Sequence, residues 1–296
     1  VQPNYGQQTK CDTIPVEFPP QYQPGLPGIE SVMIPRPLSE KPGQTGSGKL
    51  QGKVAVITGG DSGIGRAIAY LFAKEGADIA IVYLNEHGDA AETQERIRQL
   101  GRRCLAIAGD LGYEPFCREA VARTIAEYGR IDILINNAGT QFFHYNIEEV
   151  TAEQLERTFR TNVFSYFYMA KSVVPYLRPG SAIINTSSIA AVEGYPGIID
   201  YSSSKGAVTS FTRALAASLI ARGIRVNSVA PGRTWTPLIP SAFPPSIYTT
   251  YGYSTPMKRT AQPAELAPAY LFLATDDSSY VVGQTLHVDG GEYFGQ

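Results

Sequence analysis

Tyr201 and Lys205 stand four apart in Tyr201-Ser202-Ser203-Ser204-Lys205, thirteen and seventeen residues after Ser188. On a helix this spacing puts both side chains on one face, about one turn apart. A free phenol titrates near pH ~10 and moves protons poorly at neutral pH. An ammonium one turn away favours the phenolate and lowers that value. The pair therefore reads as a general acid/base drawn toward working pH. Such spacing also arises by chance in many helices, so it counts only with its surroundings. Ser188 follows the strand-like run Ala182-Ile183-Ile184-Asn185-Thr186. Its hydroxyl can donate to a substrate oxygen on which negative charge develops. Ser187 competes for that role, and either hydroxyl can instead cap a helix or loop.

A second chemistry-bearing segment lies far upstream. Thr58-Gly59-Gly60-Asp61-Ser62-Gly63-Ile64-Gly65 follows the apolar run Val54-Ala55-Val56-Ile57 and precedes a segment with helical spacing of apolar residues, Arg66 to Ala73. Strand, glycine turn and helix is the context that a dinucleotide-binding turn requires. Glycine lets the backbone approach a diphosphate, and a helix N-terminus offers free amides and the positive end of its dipole. The bland alternative is an ordinary tight turn.

With these segments, Asn136-Asn137-Ala138-Gly139, Asn162 and Pro231-Gly232, the chain resembles the short-chain dehydrogenase/reductase family over roughly residues 50–291. It is most similar to a subgroup with a proline-rich N-terminal extension. The resemblance selects Ser188 over Ser187 and implies four catalytic residues: Ser188, Tyr201, Lys205 and Asn162. It implies that Lys205 also bonds the nicotinamide ribose, and that Asn162 holds a water linking the lysine to solvent. It implies that Asn137, Ala138 and Gly139 stabilise the sheet and border the adenine ribose. Asp110 and Leu111 look like the adenine-contacting pair, and Gly59, Asp61, Ser62, Gly63, Ile64 and Gly65 like the diphosphate turn. Pro231, Gly232 and Thr236 resemble the segment that meets the nicotinamide carboxamide, with Thr234 as a second candidate.

The end of the second strand bears on cofactor choice. NAD-preferring enzymes usually carry an acid there for the ribose 2′-hydroxyl. Here Ile81-Val82-Tyr83-Leu84-Asn85-Glu86 places Tyr83 near that position, with Asn85 beside it. Without the carboxylate a 2′-phosphate meets less repulsion, so NADP(H) is favoured. Glu86 can still reach the ribose, and Ser62 stands where the family often has a base, so NAD(H) stays open.

The apolar run alternation places strands near 53–58, 78–83, 104–108, 132–135, 181–186, 224–229 and 284–288. Helices fall near 63–75, 89–100, 114–128, 151–176, 201–221 and 263–274. Pro175 should stop or bend the fourth helix. Alternating strands and helices predict an α/β fold, a parallel sheet covered on both faces. The family implies a single, Rossmann-type, doubly wound domain of seven strands, ordered 3-2-1-4-5-6-7. Ligands then sit beyond the carboxyl ends of the strands, where every motif above falls.

Residues 1–48 are rich in Pro, Gly, Gln and Tyr. A disordered tail fits that composition, but Phe18, Tyr22, Leu26, Ile29, Val32, Met33 and Ile34 are many apolar anchors for one. We expect an arm packed on the 49–296 domain or on a neighbouring subunit. Residues near 237–258 read as an irregular substrate lid. Gln141, Phe143, Glu193, Tyr195 and Trp235 are the candidate pocket residues, suggesting an apolar, aromatic-rich site; packing of the lid or a subunit contact explains the aromatics equally well. His144 reads as a plain loop histidine.

The 296 residues suit one α/β domain plus an extension. A net charge of −2, without basic tracts, argues against nucleic-acid binding. Three cysteines (Cys11, Cys104, Cys117) and three histidines are scattered, so neither a disulfide framework nor a metal site is expected. No apolar run is long enough for a membrane span, and no signal pattern opens the chain, so a cytoplasmic enzyme is the default. The expected activity is NAD(P)-dependent hydride transfer to or from a carbonyl or secondary alcohol carbon. An aromatic or alicyclic ketone leads as substrate, followed by a sugar or polyol. Epimerisation, dehydration or cyclisation with a bound cofactor is a further alternative. The family implies a homotetramer or dimer, built partly through helix 201–221 and the C-terminal segment.

Overall fold

The computed structural model describes residues 14–248 and 250–294; Cys11 and the first part of the N-terminal arm lie outside the described residues. Among the described residues seven parallel strands form one sheet: β1 (Val54–Thr58), β2 (Asp78–Tyr83), β3 (Cys104–Ala108), β4 (Ile133–Asn136), β5 (Ala182–Thr186), β6 (Arg225–Pro231) and β7 (Thr285–Val288). Their order is β3-β2-β1-β4-β5-β6-β7. The chain leaves β1 in one direction and returns beside it through β4, so a crevice opens at the carboxyl ends of these two strands.

Both faces of the sheet are covered, which explains strands that read as unbroken apolar runs. Side chains alternate across the sheet. Ala55 and Ile57 face α1 (Gly63–Lys74), α2 (His87–Gln99) and a late helix, Pro263–Ala274. Val56, Leu134, Ile183 and Val226 face α3 (Glu114–Tyr128) and two helices met below.

The fourth predicted helix is interrupted. It runs as α4 (Ala152–Phe159), a π turn at Arg160–Phe164 and α5 (Ser165–Val173), then a 3-10 turn that contains Pro175. Thr151 caps it, its hydroxyl accepting the Gln154 N–H. A short α6 (Ala190–Glu193) precedes α7 (Ile199–Leu219), the helix that carries Tyr201 and Lys205. The lid segment is more regular than expected: α8 (Leu238–Ala242) and α9 (Pro245–Tyr248) lie within it, before α10 (Pro263–Ala274). Proline is tolerated at the first turn of a helix, where its missing N–H has no partner to lose.

The described part of the arm lies against the domain. Phe18 stacks on Trp235 at 3.9 Å and an interplanar angle of 13°. Phe18 and Met33 share a small third core with Trp235, Ile239, Phe243 and Tyr248. Among the described residues no helix is long and apolar enough to cross a membrane, and no group of three His, Cys, Asp or Glu could hold a metal ion.

Candidate active site

A cavity of about 1110 Å³ opens at the carboxyl ends of β1, β4, β5 and β6. The turn after β1 forms one end. Gly59 takes φ +63°, and a Cβ on Gly65 would lie 1.9 Å from the Gly59 carbonyl oxygen, so helix α1 can close onto the turn only with glycine there. Gly59, Asp61, Ser62, Gly63 and Ile64 line the cavity, while Gly65 packs behind it. Asn137 fastens this turn to β4. Its backbone N–H donates to Thr58 Oγ1 at 2.8 Å, and its amide donates to the Thr58 and Gly59 carbonyls at 3.2 Å. Ala138, Gly139, Asp110 and Leu111 continue the same wall. Asp110 Oδ1 accepts the Gly112 N–H at 2.8 Å, which shapes the loop after β3.

At the end of β2, Tyr83 and Glu86 line the cavity, whereas Asn85 is exposed and outside its wall. Burial pushes the Asp61 carboxyl up to about 6, with nearby Glu86 and Asp89 adding to the rise. Burial also raises Glu86. This end of the cavity is thus a partly desolvated acidic corner.

Ser188, Tyr201 and Lys205 meet on the opposite wall. Ser187 also lines the cavity, but its hydroxyl is engaged, bonded to Thr209 Oγ1 at 2.8 Å and the Lys205 carbonyl at 3.1 Å. Ser188 is left facing Tyr201, whose phenol it hydrogen bonds. Burial outweighs that bond, and the Tyr201 phenol titrates above its ordinary value. The expected lowering by Lys205 is absent for a physical reason. Lys205 is 2% exposed, and burial drops its amine from 10.5 to about 7. Its Nζ donates to the Thr186 carbonyl at 2.8 Å and to Tyr166 Oη at 3.4 Å, and lies 5.6 Å from the Tyr201 ring centre. A half-charged amine at that range does not offset desolvation of the phenol.

Asn162 stands in the π turn, behind the cavity wall. Its Oδ1 accepts the Thr140 N–H at 2.7 Å; its Nδ2 donates to the Thr140 carbonyl at 2.9 Å and to Ser204 Oγ at 3.0 Å. The amide therefore ties the loop after β4 to α7. A Cβ on Gly139 would sit 3.5 Å from Asn162 Oδ1 and 3.6 Å from Lys205 Nζ, so these two groups converge on one point. π turns of this kind recur at functional sites.

Pro231, Gly232, Thr234 and Thr236 line the cavity beyond β6. Gln141, Phe143 and Tyr195 line the substrate side; Glu193 is exposed and outside the wall. Trp235 is corrected as a pocket residue. It is fully buried under Phe18, and its indole N–H donates to the Pro35 carbonyl at 2.8 Å. Arg233, unremarked in the sequence, lies in the wall between Tyr195 (5.1 Å) and Tyr251 (5.2 Å), and bonds Glu292 at 2.8 Å. Gln141 is 4% exposed, and its Nε2 has no hydrogen-bond partner among the described residues. The cavity volume, the backbone-lined turn at a helix N-terminus and this unpaired donor in the same wall fit a dinucleotide beside a small polar molecule.

A parallel doubly wound sheet with a Ser/Tyr/Lys cluster opposite a glycine turn defines a class of nucleotide-dependent oxidoreductases. The family profile described as enoyl-(acyl carrier protein) reductase matches residues 59–292. General stress protein 39 of Bacillus subtilis is 56% identical over 279 residues, 94% of this chain and 98% of that one. The glucose and ribitol dehydrogenase of Daucus carota is 48% identical, across 93% of this chain and 97% of its own. The crystal structure of a short chain dehydrogenase from Burkholderia cenocepacia J2315 in complex with NADP superposes with a TM-score of 0.78 at 32% identity, covering 82% of this chain and 98% of that one. The chain belongs to the short-chain dehydrogenase/reductase family, and is an oxidoreductase of that family.

Proposed function

We propose that the protein interconverts carbonyl and alcohol groups on a polyhydroxylated small molecule, a sugar or polyol, with NADP(H) as cofactor. The observation that carries this reading is the unpaired amide of Gln141 in the wall that holds Ser188, Tyr201 and Lys205. A buried donor without a partner is costly unless a ligand supplies the acceptor. A substrate rich in hydroxyls offers acceptors beyond its reacting oxygen; a plain hydrocarbon ketone has only the oxygen that Ser188 and Tyr201 engage. The name of the carrot relative agrees with this chemistry. NADP(H) is supported by Tyr83 in place of an acid and by the NADP in the related Burkholderia enzyme.

A nicotinamide cofactor held along Gly59, Ser62, Gly63, Ile64, Gly232 and Thr236 would supply or take up the hydride. Ser188 donates to the substrate oxygen and orients it. Tyr201, whose burial raises its phenol above the ordinary value and so favours the protonated form, gives its phenolic proton to that oxygen in reduction and regains it in oxidation. Lys205 restores charge balance beside the phenol once it is protonated. Asn162 holds the Thr140 loop at a fixed distance from α7. The site-residue roles, the division between the arm (1–48) and the domain (49–296), a cytoplasmic location and a homotetramer or dimer belong to the same reading. Exposed Phe167, Ile199 and Leu286 offer apolar contact for assembly.

An aromatic or alicyclic ketone is the second reading, supported by Phe143, Phe243, Ile247 and Tyr251 in the cavity wall. Turnover decides between the two. NADPH consumption with aldoses, and NADP reduction with pentitols, should exceed rates with cyclic and aryl ketones by tenfold or more, about 1.4 kcal/mol. The reverse order removes the polyol reading, and no turnover with either set removes both.

A further inference from the structure

The arm reaches both ends of the cavity. Leu26, Pro27 and Gly28 line it directly. Beyond them Glu30 is 1% exposed, and its carboxylate accepts the Gly63 N–H at 2.6 Å and Arg66 Nη1 at 2.7 Å. Gly63 is the first residue of α1, so Glu30 fills one of the helix-end amides that lack an intrahelical partner. Ile64 and Gly65 follow it in that turn. The Glu30 N–H in turn donates to Asp89 of α2 at 2.6 Å. A buried carboxylate is costly unless it is paired and hydrogen bonded, and here every part of it is engaged.

Upstream, the arm holds the lid segment. The Gln23 N–H donates to the Pro240 carbonyl at 2.9 Å, and the Gln21 N–H to Tyr248 Oη at 3.0 Å. Gly28 passes so close that a Cβ would lie 2.4 Å from the Pro237 carbonyl oxygen. Phe18 closes the stack over Trp235. Contacts to α8 and α9 at one end, and to the first turn of α1 at the other, run through a single stretch of about a dozen residues.

We propose that the arm is a working part of the binding site: Glu30 positions the first turn of α1, and residues 18–28 hold the lid segment over the cavity before any ligand arrives. Glu30 is a positioning residue, acting through Gly63. The entropic cost of ordering the lid is then met in folding rather than in binding. Cofactor turn and lid share one tether, so loosening it weakens both without touching Ser188, Tyr201 or Lys205.

This rests on reading the cavity as a dinucleotide site, and the test separates the two ideas. In the full chain, Glu30→Ala should raise the Kd for NADPH on the order of tenfold, the usual size of a coupling between sites. The kcat at saturating cofactor should stay within about twofold of wild type. Glu30→Gln, which keeps an acceptor for Gly63, should recover part of the affinity. Gly28→Ala should raise substrate KM and speed hydrogen exchange at amides 237–248; it also serves if Glu30→Ala fails to fold. Unchanged Kd in Glu30→Ala, or unchanged lid exchange in Gly28→Ala, overturns the proposal. If the wild type binds neither NADPH nor NADH, the dinucleotide reading falls, and lid exchange alone still decides whether the arm holds the lid.

Discussion

Titrating Lys205 tests the site at its most perturbed group. Its amine faces the Thr186 carbonyl and Tyr166 Oη, both uncharged acceptors, and burial alone brings it to about 7. At pH 8 roughly one cofactor-free molecule in ten then carries the ammonium. A dianionic diphosphate bound in the same cavity favours the charged amine and drives its pKa back up. Binding at pH 8 should therefore take up as much as about 0.9 proton, and at pH 7 as much as about half a proton, the limits for complete protonation in the complex. Affinity for the dinucleotide should fall by up to about tenfold per pH unit as pH rises above 7, since protonation favours the complex. Asp61, at about 6, is almost fully ionised at pH 8 and adds little there. The assay is calorimetric titration with NADPH at pH 8 in buffers of different ionisation enthalpy, where the slope of observed heat gives the protons taken up. Lys205→Arg is the control, because guanidinium stays charged throughout; its slope should vanish. A slope near zero in the wild type, or an equal slope in Lys205→Arg, refutes the argument that burial holds this lysine half-neutral.

Tyr201→Phe removes the transferable proton but keeps the ring, so kcat should drop by about 10²–10⁴ while NADPH affinity is retained, as measured by turnover and fluorescence titration. A loss of less than tenfold would take Tyr201 out of its role. Asp61→Asn should shift preference toward NADPH at pH 7, because the ionised carboxylate opposes a 2′-phosphate. Asp61 is protonated below about 6, so the preference of the variant over wild type should shrink as pH falls to 5. A NADPH/NADH ratio of KM values unaffected by the substitution at pH 7 would place Asp61 away from the ribose.

Much of the framework is legible in the amino-acid sequence. Buried strands in a parallel sheet are apolar on both faces, so runs such as Val54–Ile57 announce themselves, and predicted bounds fall close to those observed. The glycines after β1 were legible because only glycine permits that close approach of helix and turn. The π turn around Asn162 was not legible. Its extra residue is sustained by bonds from the Asn162 amide to Thr140 and Ser204, which lie far away in sequence. Helical regularity in the lid was hidden by prolines that sit at first-turn positions. Glu30 was invisible for the same kind of reason: one carboxylate in a proline-rich stretch gives no sign that Arg66 and the Gly63 amide lie around it.

The sequence by itself determined the order of strands and helices, the glycine turn and the types of residue in the Ser188, Tyr201 and Lys205 cluster. Those features depend on local periodicity and on chemistry that few residue types can supply. Tertiary structure alone decided which groups are charged and which face the cavity. Burial, not sequence spacing, sets Lys205 at about 7 and raises the Tyr201 phenol above its ordinary value. Stacking with Phe18 takes Trp235 out of the pocket, and bonds to α7 occupy the Ser187 hydroxyl while Ser188 faces Tyr201. Desolvation and side-chain direction depend on neighbours brought together from distant parts of the chain, and the fold assembles those neighbours.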